Sequence, residues 1–145
     1  MTTRAVLSGP RLHPLHAILL AFPIAFFSGA VVSDIAYLNS AVIQWSNFSA
    51  WLITGALLFG AVVLVWALVR FLGLRRTPSG PGALVYLIAL AVMWLLGFVN
   101  AFKHSQDAWS SVGTLGLVLS IASTVLALVA GWIGYASAPA REIGR

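Results

Sequence analysis

The run "HAILLAFPIAFFSGAVVSDIAYL", His16 to Leu38, decides how the rest of the chain is read. It is long enough to cross the hydrocarbon core of a bilayer, which takes about 20 residues as a helix. A secretory signal peptide has a shorter apolar core, about 7–15 residues. "FFSGA" does offer small residues of the kind a signal peptidase cuts after, but Asp34 and Tyr37 carry the helical pattern past it, so a retained membrane helix is expected. Three further runs of comparable length follow: Asn47 to Leu74, Gly82 to Phe102 and Trp109 to Tyr135. Charged residues make up 8% of the 145 and hydrophobic ones 61%, where an average soluble domain carries about a quarter charged. So much apolar surface has no place in a soluble fold of this size, and lipid is the expected solvent.

The connections are short. "NSAVIQWS" joins the first two runs and "KHSQDA" the last two, and short links make neighbouring helices antiparallel. "RRTPSGPG", Arg75 to Gly82, breaks the helix between the pairs with proline and glycine. The expected architecture is therefore all-α: one integral membrane domain over residues 1–145, a four-transmembrane-helix bundle of two antiparallel hairpins. Its segments are expected at about 16–38, 47–74, 82–102 and 109–135.

Orientation follows from the basic residues, which collect on the cytoplasmic side of membrane proteins. Arg4, Arg11, Arg70, Arg75, Arg76, Arg141 and Arg145 fall on one side and Lys103 alone on the other. Both termini are thus expected in the cytoplasm of a bacterial inner membrane, with the "KHSQDA" loop facing outward. Tryptophans near the segment ends, such as Trp45, Trp51 and Trp132, fit an interfacial belt. The net charge of +5 forms no stripe of the kind that binds nucleic acid, so no nucleic-acid partner is expected. The chain has no cysteine, which excludes disulfides, thiolate metal sites and a cysteine nucleophile.

The chemistry concentrates at the outward end. Asp34 is the only acidic residue inside any of the four runs. A charged group within lipid faces inward and finds a partner. His104 is the first candidate and Lys103 the second. Asn100, His104 and Asp107 are spaced four and three apart, one face of a helix if the third segment persists that far. Asn39, Gln44 and Asn47 add polar groups on the same side. Asp34, Asn100, His104 and Asp107 form the candidate polar site. It reads either as a proton-linked or ligand-binding site, or as a hydrogen-bonded knot that fixes the register of the helices. One histidine with two carboxylates lacks the spacing of a zinc or iron motif, so no metal is expected.

His13 and His16 are the candidates at the opposite end, where Pro14 starts a helix at the interface. His16 and Asp34 lie eighteen residues apart, about 27 Å along a helix. His104 therefore cannot join His13 or His16 on one haem iron, which needs axial ligands from opposite faces; a bis-histidine haem would need a dimer. Pro23 removes a hydrogen bond inside the first segment and shapes the helix there. Small residues from Gly116 to Gly134 let the fourth segment pack closely within the bundle. No phosphate loop, zinc-protease motif or nucleophile elbow is present, and no catalytic residues are assigned.

"LHPLHAILLAFPIAFF", "SDIAY", "QWSNFSAWLITGAL" and "NAFKHSQDAW" together resemble the bacterial membrane proteins grouped as domain of unknown function 2231. The resemblance runs from Arg11 to Tyr135. The chain departs from the pattern at Phe22, where many members carry a histidine before the proline, and at Gln106, where a basic residue is expected. The resemblance implies a multi-span inner-membrane protein and supplies no activity. The expected function is a non-enzymatic accessory or partner-binding membrane subunit without a cofactor, set in the lipid bilayer and contacting a membrane protein or a second copy of itself. The alternatives are a haem- or quinone-binding redox subunit acting as a dimer, and a small proton-coupled carrier.

Overall fold

Proline and histidine open the first helix, α1 (Pro14–Ser40). Pro14 supplies a preset φ in the first turn, and the His13 ring caps it, Nδ1 accepting from the Leu15 N–H at 3.2 Å. The computed structural model describes residues 12–106 and 112–136. Within them lie three more helices: α2 (Ile43–Leu74), α3 (Gly80–His104) and α4 (Thr114–Ala136). All four are long and apolar enough to cross a membrane.

The first three helices overrun the segments expected from hydropathy alone, whereas α4 starts at Thr114, after the non-helical Val112 and Gly113, and Trp109, where that segment was expected to begin, lies outside the described residues. The eight-residue link read between the first two runs shrinks to Ala41 and Val42. Ala41 takes a left-handed conformation (φ 55°, ψ 18°) and donates its N–H to the Tyr37 carbonyl at 2.7 Å. A side chain at that φ costs about 1–3 kcal/mol, so the turn is held by what flanks it, including Ser40 Oγ, which accepts from the Val42 N–H. Asn39, Gln44 and Asn47 are consequently helical. The second break follows Leu74, where "RRTPS" separates α2 from α3. Gly80 is closely confined: a Cβ there would sit 3.0 Å from the carbonyl oxygens of Leu74 and Arg75, so a larger residue would push on the backbone of this break.

α1 packs on α2 and α4, and α3 packs on the same two helices, which gives a square cross-section. Small residues set the close approaches. Gly131 and Gly134 of α4 lie under Ile24 and Leu20 of α1. The stripe of small residues in α4 is thus turned into the bundle. Across the diagonal, the Phe27 ring of α1 seats on Gly97 of α3, whose absent Cβ would meet that ring. Around Phe27 the interior is apolar, with Leu20, Ile53, Val63, Leu90 and Met93 fully buried. α1 passes through Pro23 without a break.

The surface is apolar as well. Trp132 is 78% exposed, Trp51 70%, Leu58 67% and Val32 66%. In water such a face would be an aggregation hazard; in a bilayer it faces tails of its own polarity.

Candidate functional site

Four polar side chains from all four helices close one end of the bundle. Asp34 comes from α1, six residues before the helix ends. Ser49 comes from the second turn of α2, His104 is the last residue of α3, and Ser120 sits in the second turn of α4. Asp34, Ser49 and Ser120 are fully buried, and His104 is 6% exposed. Groups buried to this degree need partners within the protein.

The partners form a ring. His104 Nε2 lies 2.9 Å from Asp34 Oδ1. Ser120 Oγ donates to Asp34 Oδ2 at 2.5 Å. The Asn100 side-chain amide donates to Ser120 Oγ at 2.8 Å. His104 Nδ1 stands 3.0 Å from the Asn100 backbone carbonyl, which can only accept, so Nδ1 carries a hydrogen. Ser49 Oγ flanks the ring, 3.3 Å from His104 Nε2 and 3.4 Å from the Ala30 carbonyl. Among the described residues, two buried side-chain oxygens have no hydrogen-bond partner, Asn100 Oδ1 and Ser123 Oγ.

The ring opens on a cleft of about 350 Å³ between the start of α2 and the end of α3. Gln44, Ser46, Asn47 and Gln106 line it, with His104 at its base. Lys103 stands beside it and donates to Gln106 Oε1 at 3.2 Å, rather than to Asp34. Asp107 lies outside the described residues.

The opposite end holds a second polar group. His16 Nε2 meets Tyr86 Oη at 2.8 Å, and its ring packs edge-on against Trp66 with centroids 5.3 Å apart. The His13 ring lies 5.5 Å from the same indole, and Tyr135 donates to the Ala17 carbonyl at 2.8 Å. Placing His16 at the interface undervalues its burial: it is 1% exposed, and its Nδ1 has no partner. The two histidine groups stand at opposite ends with the apolar core between them, and both His104 nitrogens are engaged. Within one chain these residues do not fit a bis-histidine haem. Among the described residues no group of three or more histidine, cysteine, aspartate or glutamate side chains is placed to hold a metal ion.

Sequence reasoning did not reach Ser49, Ser120 or Tyr86 as polar partners. Ser120 falls within the run of small residues from Gly116 to Gly134, whose size suits close packing. A signal was present: a hydroxyl on the inward face of an apolar helix needs something to bond.

A helical bundle with an apolar exterior and buried polar ends defines a multi-pass integral membrane protein. A family model described as "Predicted membrane protein (DUF2231)" matches residues 12–144, and the chain belongs to that family. No curated protein and no solved structure matches it.

Proposed function

We propose that this chain is a non-enzymatic accessory protein of the bacterial inner membrane, and that its outward polar cleft is the surface that contacts a small polar ligand or the exposed part of a membrane partner. The observation that carries the reading is the cleft itself, lined by the amides of Gln44, Asn47 and Gln106 and floored by His104. Such groups recognise by hydrogen bonding, and the Ser49 hydroxyl beside the His104 imidazole is fully buried and not part of the cleft lining.

The ends of α1 and α3 meet the first turns of α2 and α4, which supports an alternating, antiparallel course through two hairpins. Arg70, Arg75 and Arg76 at the other end of α2, with Arg4, Arg11, Arg141 and Arg145 in the terminal stretches, favour cytoplasmic termini. The cleft then faces outward.

A small proton-coupled carrier built on Asp34 and His104 is favoured less. A carrier needs polar groups through the midplane, whereas Phe27, Ile53, Leu90 and Met93 fill that level.

The test replaces Gln44, Asn47 and Gln106 together by alanine in a strain whose deletion phenotype the intact gene complements. Loss of complementation at unchanged protein level is expected. Full complementation by the triple variant would overturn the reading. An absorption spectrum of the detergent-purified protein, with mass spectrometry of the molecules that accompany it, separates this role from that of a redox subunit.

A further inference from the structure

We infer that the end of the bundle opposite the cleft carries a site for a phosphate group, centred on Arg70 and filled by the headgroup of an anionic lipid. The site goes beyond the role given under Proposed function and does not depend on it.

The sequence puts a charge where an apolar residue is expected. Ile53, Ala56, Gly60, Val63 and Ala67 make the buried stripe of α2. The next position on that stripe, three residues on, is Arg70, and it is half-buried. α2 packs on both α1 and α3. The guanidinium lies within electrostatic reach of His16 on the first and of Tyr86 on the second. Arg70 therefore stands at the mouth of the bundle, beside the His16–Tyr86 pair.

A half-buried cation calls for an anion. The chain has three acidic residues. Asp34 is bonded at the far end, and Asp107 and Glu142 lie outside the described residues. Among the described residues no carboxylate answers Arg70. Two ring nitrogens at this end are unmet as well. His16 Nδ1 is buried without a partner. The His13 ring lies 5.5 Å from the Trp66 indole, one turn before Arg70 on α2. Its Nδ1 accepts from the Leu15 N–H, so the neutral ring carries its hydrogen on Nε2, a donor with no acceptor among the described residues.

The level in the membrane selects the occupant. Arg70 comes four residues before the end of α2, about 6 Å along the axis. The Trp66 indole sits one turn deeper, as an interfacial aromatic does. Lipid phosphates occupy this level, and basic pockets between helix ends hold such headgroups. The guanidinium fork matches two phosphate oxygens at once. One turn past Arg70, a Cβ on Gly73 would meet nothing within 4 Å, so the approach stands open. No described carboxylate is there to take a headgroup amine, which favours a net-negative headgroup over a zwitterionic one.

The test uses full-length protein in detergent, with lipid retention read by native mass spectrometry and stability by thermal unfolding. Phosphatidylglycerol should be held about tenfold more tightly than phosphatidylcholine, and Arg70→Gln should weaken it by about tenfold, the worth of one hydrogen bond to a charged group. Arg75→Gln combined with Arg76→Gln removes two exposed arginines from the following turn and should weaken it less than Arg70→Gln alone. Arg70→Lys keeps the charge without the fork and should fall between; it decides the matter if Arg70→Gln does not fold. Equal retention of the two lipids would sink the proposal, as would equal losses from Arg70→Gln and from the exposed pair. Retention of phosphatidylglycerol only after Glu142→Gln would show that the chain answers Arg70 itself, and would sink it too. Inorganic phosphate without lipid is expected to leave the melting temperature unchanged. A rise that disappears in Arg70→Gln would keep the phosphate site and strike its lipid occupant. The cleft triple variant should retain phosphatidylglycerol as the unsubstituted protein does, so failure of the cleft reading leaves this result standing.

Discussion

Asp34 and His104, seventy residues apart in the chain, meet at 2.9 Å across the diagonal of the bundle, joining two helices whose backbones do not approach each other. α1 and α3 are connected there, by the seating of Phe27 on Gly97, and by His16 on Tyr86. Two of these three ties are polar and lie at opposite ends. Each is a place where one substitution leaves a buried group without its partner.

His104→Leu leaves the Asp34 carboxylate buried and bonded only by Ser120. Breaking a buried pair by removing one member costs about 3–5 kcal/mol. Unfolding in mixed detergent is expected to show a loss of that order. The double variant Asp34→Leu, His104→Leu should be less destabilised than the sum of the two single changes, since no charge is left unpaired. Strict additivity would show that the two side chains do not interact.

Ser120 and Ser123 are one turn apart on α4 and equally buried, yet opposite outcomes are expected. Ser120→Ala removes a donor to Asp34 and strands the Asn100 amide, a loss of about 1–3 kcal/mol. Ser123→Ala removes a hydroxyl that has no partner and should stabilise by about 1 kcal/mol. Thermal unfolding of the two variants side by side checks the order; a destabilised Ser123→Ala would reveal an internal water bonded there.

Gly97→Ala places a methyl group against the Phe27 ring, 2.5 Å from its nearest carbon. The ring is fully buried and has nowhere to turn, so the change should cost about 1–3 kcal/mol. Phe27→Leu in the same chain should recover part of it. Gly131→Ala meets the tip of Ile24 and Gly134→Ala that of Leu12. Both are flexible ends, and the melting temperatures of these variants should fall less.

At the other end, Tyr86→Phe takes the one polar partner from His16 Nε2 while its Nδ1 already lacks one. A destabilisation of about 1–3 kcal/mol is expected. His16→Phe should recover much of that loss in the Tyr86→Phe background, because it removes both unmet nitrogens. A double variant no more stable than Tyr86→Phe alone would show that packing against Trp66, and not hydrogen bonding, decides this position.

A reporter active only in the cytoplasm, fused after Arg145, is expected to be active. A silent fusion of normal abundance, with activity from the exported counterpart, would reverse the orientation and turn the cleft to the cell interior.

The number of helices was legible because hydropathy over twenty residues is a sum, and sums are insensitive to single positions. Their ends were not: hydropathy falls at Asn39, Ser40 and Gln44, but helical hydrogen bonding continues through them, and only the left-handed turn at Ala41 interrupts it. A partner for Asp34 was legible as a need, since a lone carboxyl in lipid demands one, and the short list of basic residues pointed to His104 and Lys103. The hydroxyls that complete the ring were not, because serine serves equally as a small packing residue and as a donor. Which of the two Ser120 does depends on Asn100 and Asp34 arriving from other helices.

The ring also sets a problem of timing for the ribosome. Asp34 is synthesised 70 residues before His104 and 86 before Ser120. At about 5–20 residues per second, α1 spends several seconds at the translocon with an unanswered carboxyl. Its position six residues from the end of α1, about 9 Å at 1.5 Å per residue, keeps that group within reach of interfacial water during the wait. The same helix carrying its acid two turns deeper would have to be released into lipid before anything could neutralise it.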